Sequence, residues 1–123
     1  MDLLPHLFVY GTLRPGDVRW SFLEPWVVDD GHDDAVPGRL FDTGFGYPAA
    51  IFGDGGLVTG RTYELHRPTL REALRLIDDE EDTVLGLYRR VEVRTSRGVQ
   101  AWAYEYGSGL RLTPIESGDW LTR

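Results

Sequence analysis

One stretch of this sequence has the period of a helix that packs against a core, and it limits what the rest can be. In "HRPTLREALRLIDDEED", from His66 to Asp82, Leu70, Ala73, Leu74 and Ile77 stand at i, i+3, i+4 and i+7. Pro68 suits the first turn, and good helix formers follow it. The other regular segments read as strands. "HLFVY" is a short apolar run closed by the turn signal "GTLRPG", which predicts a buried strand. "DVRWSFLEPWVV" holds a helical turn before Pro25, and "DDGHDDAVPG" reads as an acidic, solvated loop. "RLFDTGFGYPAAIF" predicts two short strands around a Gly-rich turn, and "DGGLVTGRTYEL" a turn followed by a longer strand. After the helix, "YRRVEVRT" and "VQAWAYEY" alternate on either side of "SRG", the pattern of a β-hairpin. The tail "LTPIESGDW" has no period. A single amphipathic helix needs a surface to cover, and strands supply it. The expected class is α+β, a small, mixed, barrel-like β-sheet with one main helix.

At 123 residues the chain can bury one core, and it shows no repeat or linker, so residues 1–123 are expected to form a single domain. Thirteen basic residues against twenty acidic ones give a net charge of -7, which opposes a phosphate backbone and argues against nucleic acid as a partner. With no Cys there is no disulfide framework, thiolate nucleophile or Cys-based zinc site. Lys is absent as well, which excludes Schiff-base chemistry and a Walker A lysine. The segment "MDLLPHLFVY" has no basic n-region and is broken by Pro5, and no apolar run reaches membrane-spanning length. A soluble, cytoplasmic protein with no membrane partner is expected.

The helix carries the most pointed signal. At about 100° per residue, Glu81 falls about 20° from Leu70, on the apolar stripe itself, whereas Asp79 lies about 180° away and Asp78 and Glu80 about 80° to either side. Of these four acids the wheel turns only Glu81 inward. An ionised carboxylate facing a core costs several kcal/mol unless it is paired or lines a wet cavity. Two readings stay open at this point. Either the helix ends before Glu81, which then swings to solvent or pairs with an Arg such as Arg89 or Arg90, or Glu81 is a general base at a pocket mouth, its pKa raised by partial burial.

Other signals are weaker. "DDGHDD" and "DDEED" do not fit an EF-hand, and His6, His32 and His66 lack zinc spacing, so no metal is expected. "YGSGL" is not a nucleophile elbow, and "TGFGYP" lacks the dinucleotide-loop form. Trp102, Tyr104 and Tyr106 share strand parity, and with the net negative charge they read as packing rather than base stacking; Trp120 reads as tail packing.

Taken in order along the chain, "VYGTLRPG", "PGRLFDTGFGYPAAIF", "VTGRTYEL", "IDDEE", "YRRVEV" and "IESGDW" resemble the successive segments of the gamma-glutamylcyclotransferase-like family, which includes the AIG2-like proteins and the gamma-glutamylamine cyclotransferases. The resemblance implies that fold, an enzyme that cyclises a γ-glutamyl group to 5-oxoproline, and no cofactor. It places the catalytic glutamate, the end of the family's L-D-x-x-E motif, on Glu81, the residue the wheel turns inward. It places substrate binding on Tyr10, Gly11, Thr12 and Leu13 in the loop after the first strand, and on Tyr88. The implied partner is a small γ-glutamyl compound. In one departure, Asp82 stands where many members have Gly, and the alternative that follows is a non-catalytic ligand-binding module of the same fold. Neither the choice among γ-glutamyl compounds nor the oligomeric state is fixed by these residues.

Overall fold

Alternate residues of the first strand, β1 (His6–Val9), point to opposite sides, and this alternation divides the core in two. Leu7 and Val9 pack with Leu23, Tyr63, Leu65, Leu74 and Ile77, while Phe8, and Tyr10 just beyond the strand, pack with Val36, Leu40, Val58, Ala103 and Trp120. The computed structural model describes residues 3–11, 19–81 and 87–123. After β1 come the short helix α1 (Trp20–Leu23), β2 (His32–Asp42), β3 (Pro48–Glu64), the main helix α2 (Leu70–Glu80), β4 (Tyr88–Arg94), β5 (Gln100–Tyr106) and β6 (Thr113–Ile115). The strands form one six-stranded sheet in the order β4-β5-β1-β3-β2-β6. All neighbours are antiparallel except β1 and β5, which run parallel at Leu7 and Trp102. The sheet is therefore mixed, as expected, and it curls into a half-barrel.

The stripe on α2 is buried as its spacing requires, at Leu70, Ala73, Leu74 and Ile77, with Pro68 in a 3-10 turn just before the helix. The β4–β5 hairpin also forms in the predicted place, in register from Tyr88–Tyr106 to Arg94–Gln100. Pro25 follows α1 within a 3-10 turn. Trp120 is buried under the Arg123 guanidinium, 3.5 Å from its ring centre. Among the described residues no helix is long and apolar enough to cross a membrane.

Two expectations fail, both around β2. The acidic run "HDDAVPG" is strand and not loop. Its charge misleads because the carboxylate of Asp34 is turned in and satisfied there: Oδ1 accepts the N–H groups of Ala35 at 2.8 Å and Arg97 at 3.2 Å, and Oδ2 accepts the Thr62 hydroxyl at 2.9 Å. Pro37 is tolerated because it sits at a break in the ladder. Nor are the flanking strands short, since β2 has 11 residues and β3 has 17. The "DGG" that signals a turn lies inside β3. Pro37 faces Leu57 but Gly38 faces Phe52, so Gly53–Gly56 stand outside the ladder and pairing resumes with the same partner strand. Such a bulge bends a strand and sharpens its twist, which helps a sheet to curl. Gly38 is required at this break: its φ is 154°, and a Cβ there would lie 2.7 Å from the Ile51 carbonyl oxygen.

Candidate functional site

Burial of the α2 stripe fixes the roll of that helix, and the roll carries past its end. Regular helix stops at Glu80, yet the Glu81 N–H still bonds to the Ile77 carbonyl at 2.9 Å, so the side chain leaves along the line the stripe defines. Glu81 is only 15% exposed. Half of each sequence reading is thus correct: the helix ends before Glu81, but the carboxylate does not turn out to water. Among the described residues its cationic partner is neither Arg89 nor Arg90. Arg89 binds Glu105 at 2.8 Å and Arg90 binds Asp78 at 3.0 Å, while Glu81 Oε1 meets Nη2 of Arg19 at 3.2 Å. The other arm of the same guanidinium, Nη1, holds Glu80 at 3.3 Å. Arg19 is delivered by α1, whose Leu23 is fully buried and whose Trp20 ring packs 5.5 Å from that of Tyr63.

Asp78 also reaches the sheet. Its Oδ1 accepts the Tyr104 hydroxyl at 2.6 Å and Nε of Arg90, whose guanidinium lies over Trp102. A wheel of Cα directions misses this contact because an acid 80° off the stripe can lean onto a strand that supplies a donor. The contact ties the last turn of α2 to β4 and β5 just before Glu81.

Three phenols feel the charge of the glutamate. Tyr10, at the end of β1, donates its hydroxyl to the Tyr104 carbonyl, and Tyr88, which opens β4, donates to the Pro48 carbonyl at 2.7 Å. Burial first, and then the negative charge of Glu81, push the pKa of both well above the usual phenol range. Tyr104 is raised by burial, by its bond to Asp78 and more weakly by Glu81. All three are neutral donors at physiological pH, and their protons are committed to the bonds just given. Gly11 touches the same framework, since a Cβ there would come within 3.0 Å of the Pro48 ring. Pro48 therefore links the loop after β1 to the start of β4, a role legible beforehand only as part of the quoted "GYPAA" segment. The Tyr88 ring lies 6.3 Å from that of Tyr47 and 6.5 Å from that of Tyr106.

Of the expected site residues, Tyr10, Gly11, Glu81 and Tyr88 converge on this corner; Thr12, Leu13 and Asp82 lie outside the described residues. Sequence reasoning missed Arg19, which is some sixty positions away in the chain with no pattern linking it to α2. Among the described residues no three His, Asp or Glu side chains converge to hold a metal ion. The corner offers a largely buried carboxylate in contact with a partly exposed cation, within electrostatic reach of three neutral phenols. Such an arrangement can accept a proton from an amine.

Residues 7–122 match the model of a family described as gamma-glutamyl cyclotransferase, AIG2-like. A gamma-L-glutamyl-butirosin B gamma-glutamyl cyclotransferase of Niallia circulans is 33% identical over 111 residues, covering 84% of this chain and 67% of that protein. An uncharacterised protein of Pyrococcus horikoshii superposes with a TM-score of 0.70 at 31% identity, over 94% of this chain and 88% of its own. A mouse AIG2-like protein, at 22% identity and a TM-score of 0.64 over 88% of this chain and 79% of that one, shares the fold. With nearly the whole sequence matched, this chain belongs to the gamma-glutamyl cyclotransferase, AIG2-like family.

Proposed function

We propose that the protein cyclises the γ-glutamyl group of a small substrate to 5-oxoproline, with Glu81 as general base and then general acid. The observation that carries this reading is the inward setting of Glu81 beyond the end of α2, where its charge acts on Tyr10 and Tyr88. Glu81 takes a proton from the substrate α-amino group, and the freed nitrogen attacks the γ-carbonyl carbon of the same molecule. The new C–N bond closes a five-membered ring and the carbonyl electrons pass to oxygen; their return expels the leaving nitrogen, which takes the proton from Glu81, and the second proton shed by the ring nitrogen follows through Glu81, so that the amine departs as its ammonium. Products are 5-oxoproline and the free amine or amino acid.

Ring closure is intramolecular, so holding a folded substrate conformer supplies much of the acceleration and the chemistry draws on no cofactor. The backbone amides of Gly11, Thr12 and Leu13 hold the glutamyl group in this reading, because successive N–H groups in a turn suit an anion. The Tyr88 hydroxyl is poorly placed to stabilise the transition-state oxyanion, because its proton is committed to the Pro48 carbonyl. The finding of a γ-glutamyl-butirosin cyclotransferase among the relatives fits a substrate that carries a γ-glutamyl group on a small amine.

The test is to incubate purified protein with γ-glutamyl amino acids, glutathione and γ-glutamyl-ε-lysine, and to assay 5-oxoproline beside the Glu81→Gln variant. Product that depends on Glu81 is expected. Equal rates from the two proteins would remove Glu81 from the mechanism, and no product from any substrate would reject the cyclisation.

A further inference from the structure

A γ-glutamyl compound presents an ammonium and a carboxylate on one carbon, so a site that grips both charges needs an anion and a cation side by side. The Arg19–Glu81 pair is such an arrangement, with Nη2 and Oε1 3.2 Å apart. Glu81 receives the ammonium in the cyclisation proposed above, which leaves the adjoining carboxylate next to the guanidinium. The surroundings favour a cation there, because Asp78, Asp79, Glu80 and Glu81 gather four acids at the end of α2, and Arg90 is engaged with Asp78. Arg19 also acts electrostatically on Tyr88, opposing the effect of Glu81, so its charge is felt inside the corner and not only at its rim.

We infer that Arg19 is a substrate-binding residue that recognises the α-carboxylate of the γ-glutamyl group, its Nη2 passing from Glu81 to the substrate on binding. The two arms of the guanidinium make the exchange possible. Nη1 stays on Glu80, which is 38% exposed and lies away from the apolar stripe, so the cation keeps its place while Nη2 changes partner. Arg suits this task because its forked donors bind two carboxylates at once in fixed directions, which a Lys ammonium does not reproduce. Without substrate, the same contact stabilises the inward carboxylate of Glu81.

The inference rests on the cyclisation reading, and the experiment separates the two. Substrates with the same leaving amine are prepared with a γ-glutamyl group and with a 4-aminobutanoyl group, which cyclises to 2-pyrrolidinone and lacks only the α-carboxylate. The native protein is expected to favour the former in kcat/KM by about ten- to a hundredfold, the range for a hydrogen bond to a charged group. In Arg19→Gln the preference should narrow to within a few-fold, through KM more than kcat, and Arg19→Lys should restore part of it. A preference that persists in Arg19→Gln overturns the inference and leaves the cyclisation standing. If the native protein makes no 5-oxoproline, the cyclisation fails on its own, and calorimetry with 5-oxoproline and 2-pyrrolidinone decides the role of Arg19. A preference for 5-oxoproline that Arg19→Gln abolishes supports that role, and a preference that survives, or no binding to the native protein, overturns it.

Discussion

Asp34 and Glu81 both turn a carboxylate inward, and their surroundings differ. Asp34, 7% exposed, accepts two backbone N–H groups and a hydroxyl from three separate segments of the sheet and its turns. Glu81 faces a guanidinium that is itself 31% exposed and shared with Glu80. The first set of partners is backbone and a buried hydroxyl, whereas the second includes a partly exposed ion pair, the contact that the proposed substrate carboxylate would displace. An inward acid is therefore structural or functional according to how replaceable its partners are, and burial alone does not decide which.

The contrast can be broken most decisively at Glu81. Glu81→Gln should lower turnover by about a hundred- to ten-thousandfold, the usual share of a general acid–base, while its melting temperature stays close to that of the native protein. A matching collapse of the fold would make the two carboxylates alike. The converse change, Asp34→Ala, strands the N–H groups of Ala35 and Arg97 and should cost about 2–3 kcal/mol in urea denaturation, with the folded fraction still turning over normally.

Alkaline pH sharpens the comparison from another side. The raised groups Tyr10, Tyr88 and Tyr104 all lie around Glu81, and a raised phenol pKa means that the folded state holds its proton more tightly than the unfolded chain. The stability they provide is complete below about pH 10, where unfolded tyrosine begins to ionise, and is lost as pH rises from there through the folded-state values, by up to about 1.4 kcal/mol per pH unit for each phenol. Melting curves from pH 9 to 11 should show this slope, and Tyr88→Phe should reduce it. The smallest effect is that of Tyr88→Phe at neutral pH: about 1 kcal/mol of stability from the lost bond to Pro48, and a kcat within about threefold of native. A larger kinetic loss would return the Tyr88 hydroxyl to the reaction.

What the sequence disclosed follows from the range over which each signal acts. The α2 stripe, the inward bearing of Glu81 and the β4–β5 hairpin are local periodicities, and they are where the pattern places them. The "HDDAVPG" strand was hidden because the donors that satisfy Asp34, the Thr62 hydroxyl and the backbone N–H of Arg97, lie 28 and 63 positions away. Arg19 was hidden for the same reason, its two acids being 61 and 62 positions off. Among thirteen Arg residues, no spacing marks the one that a short helix carries across to α2.

The excursion at Gly53–Gly56 has a practical meaning for the architecture. Phe52 and Leu57 are cross-strand neighbours of the consecutive residues Gly38 and Pro37, and the residues between them are exposed and unpaired. Added chain at that point would lengthen the excursion without sliding the ladder on either side, so Val58 and Tyr63 would keep their faces of the sheet. An epitope or a second domain could be grafted there, on a tether whose two ends the existing pairs already hold together.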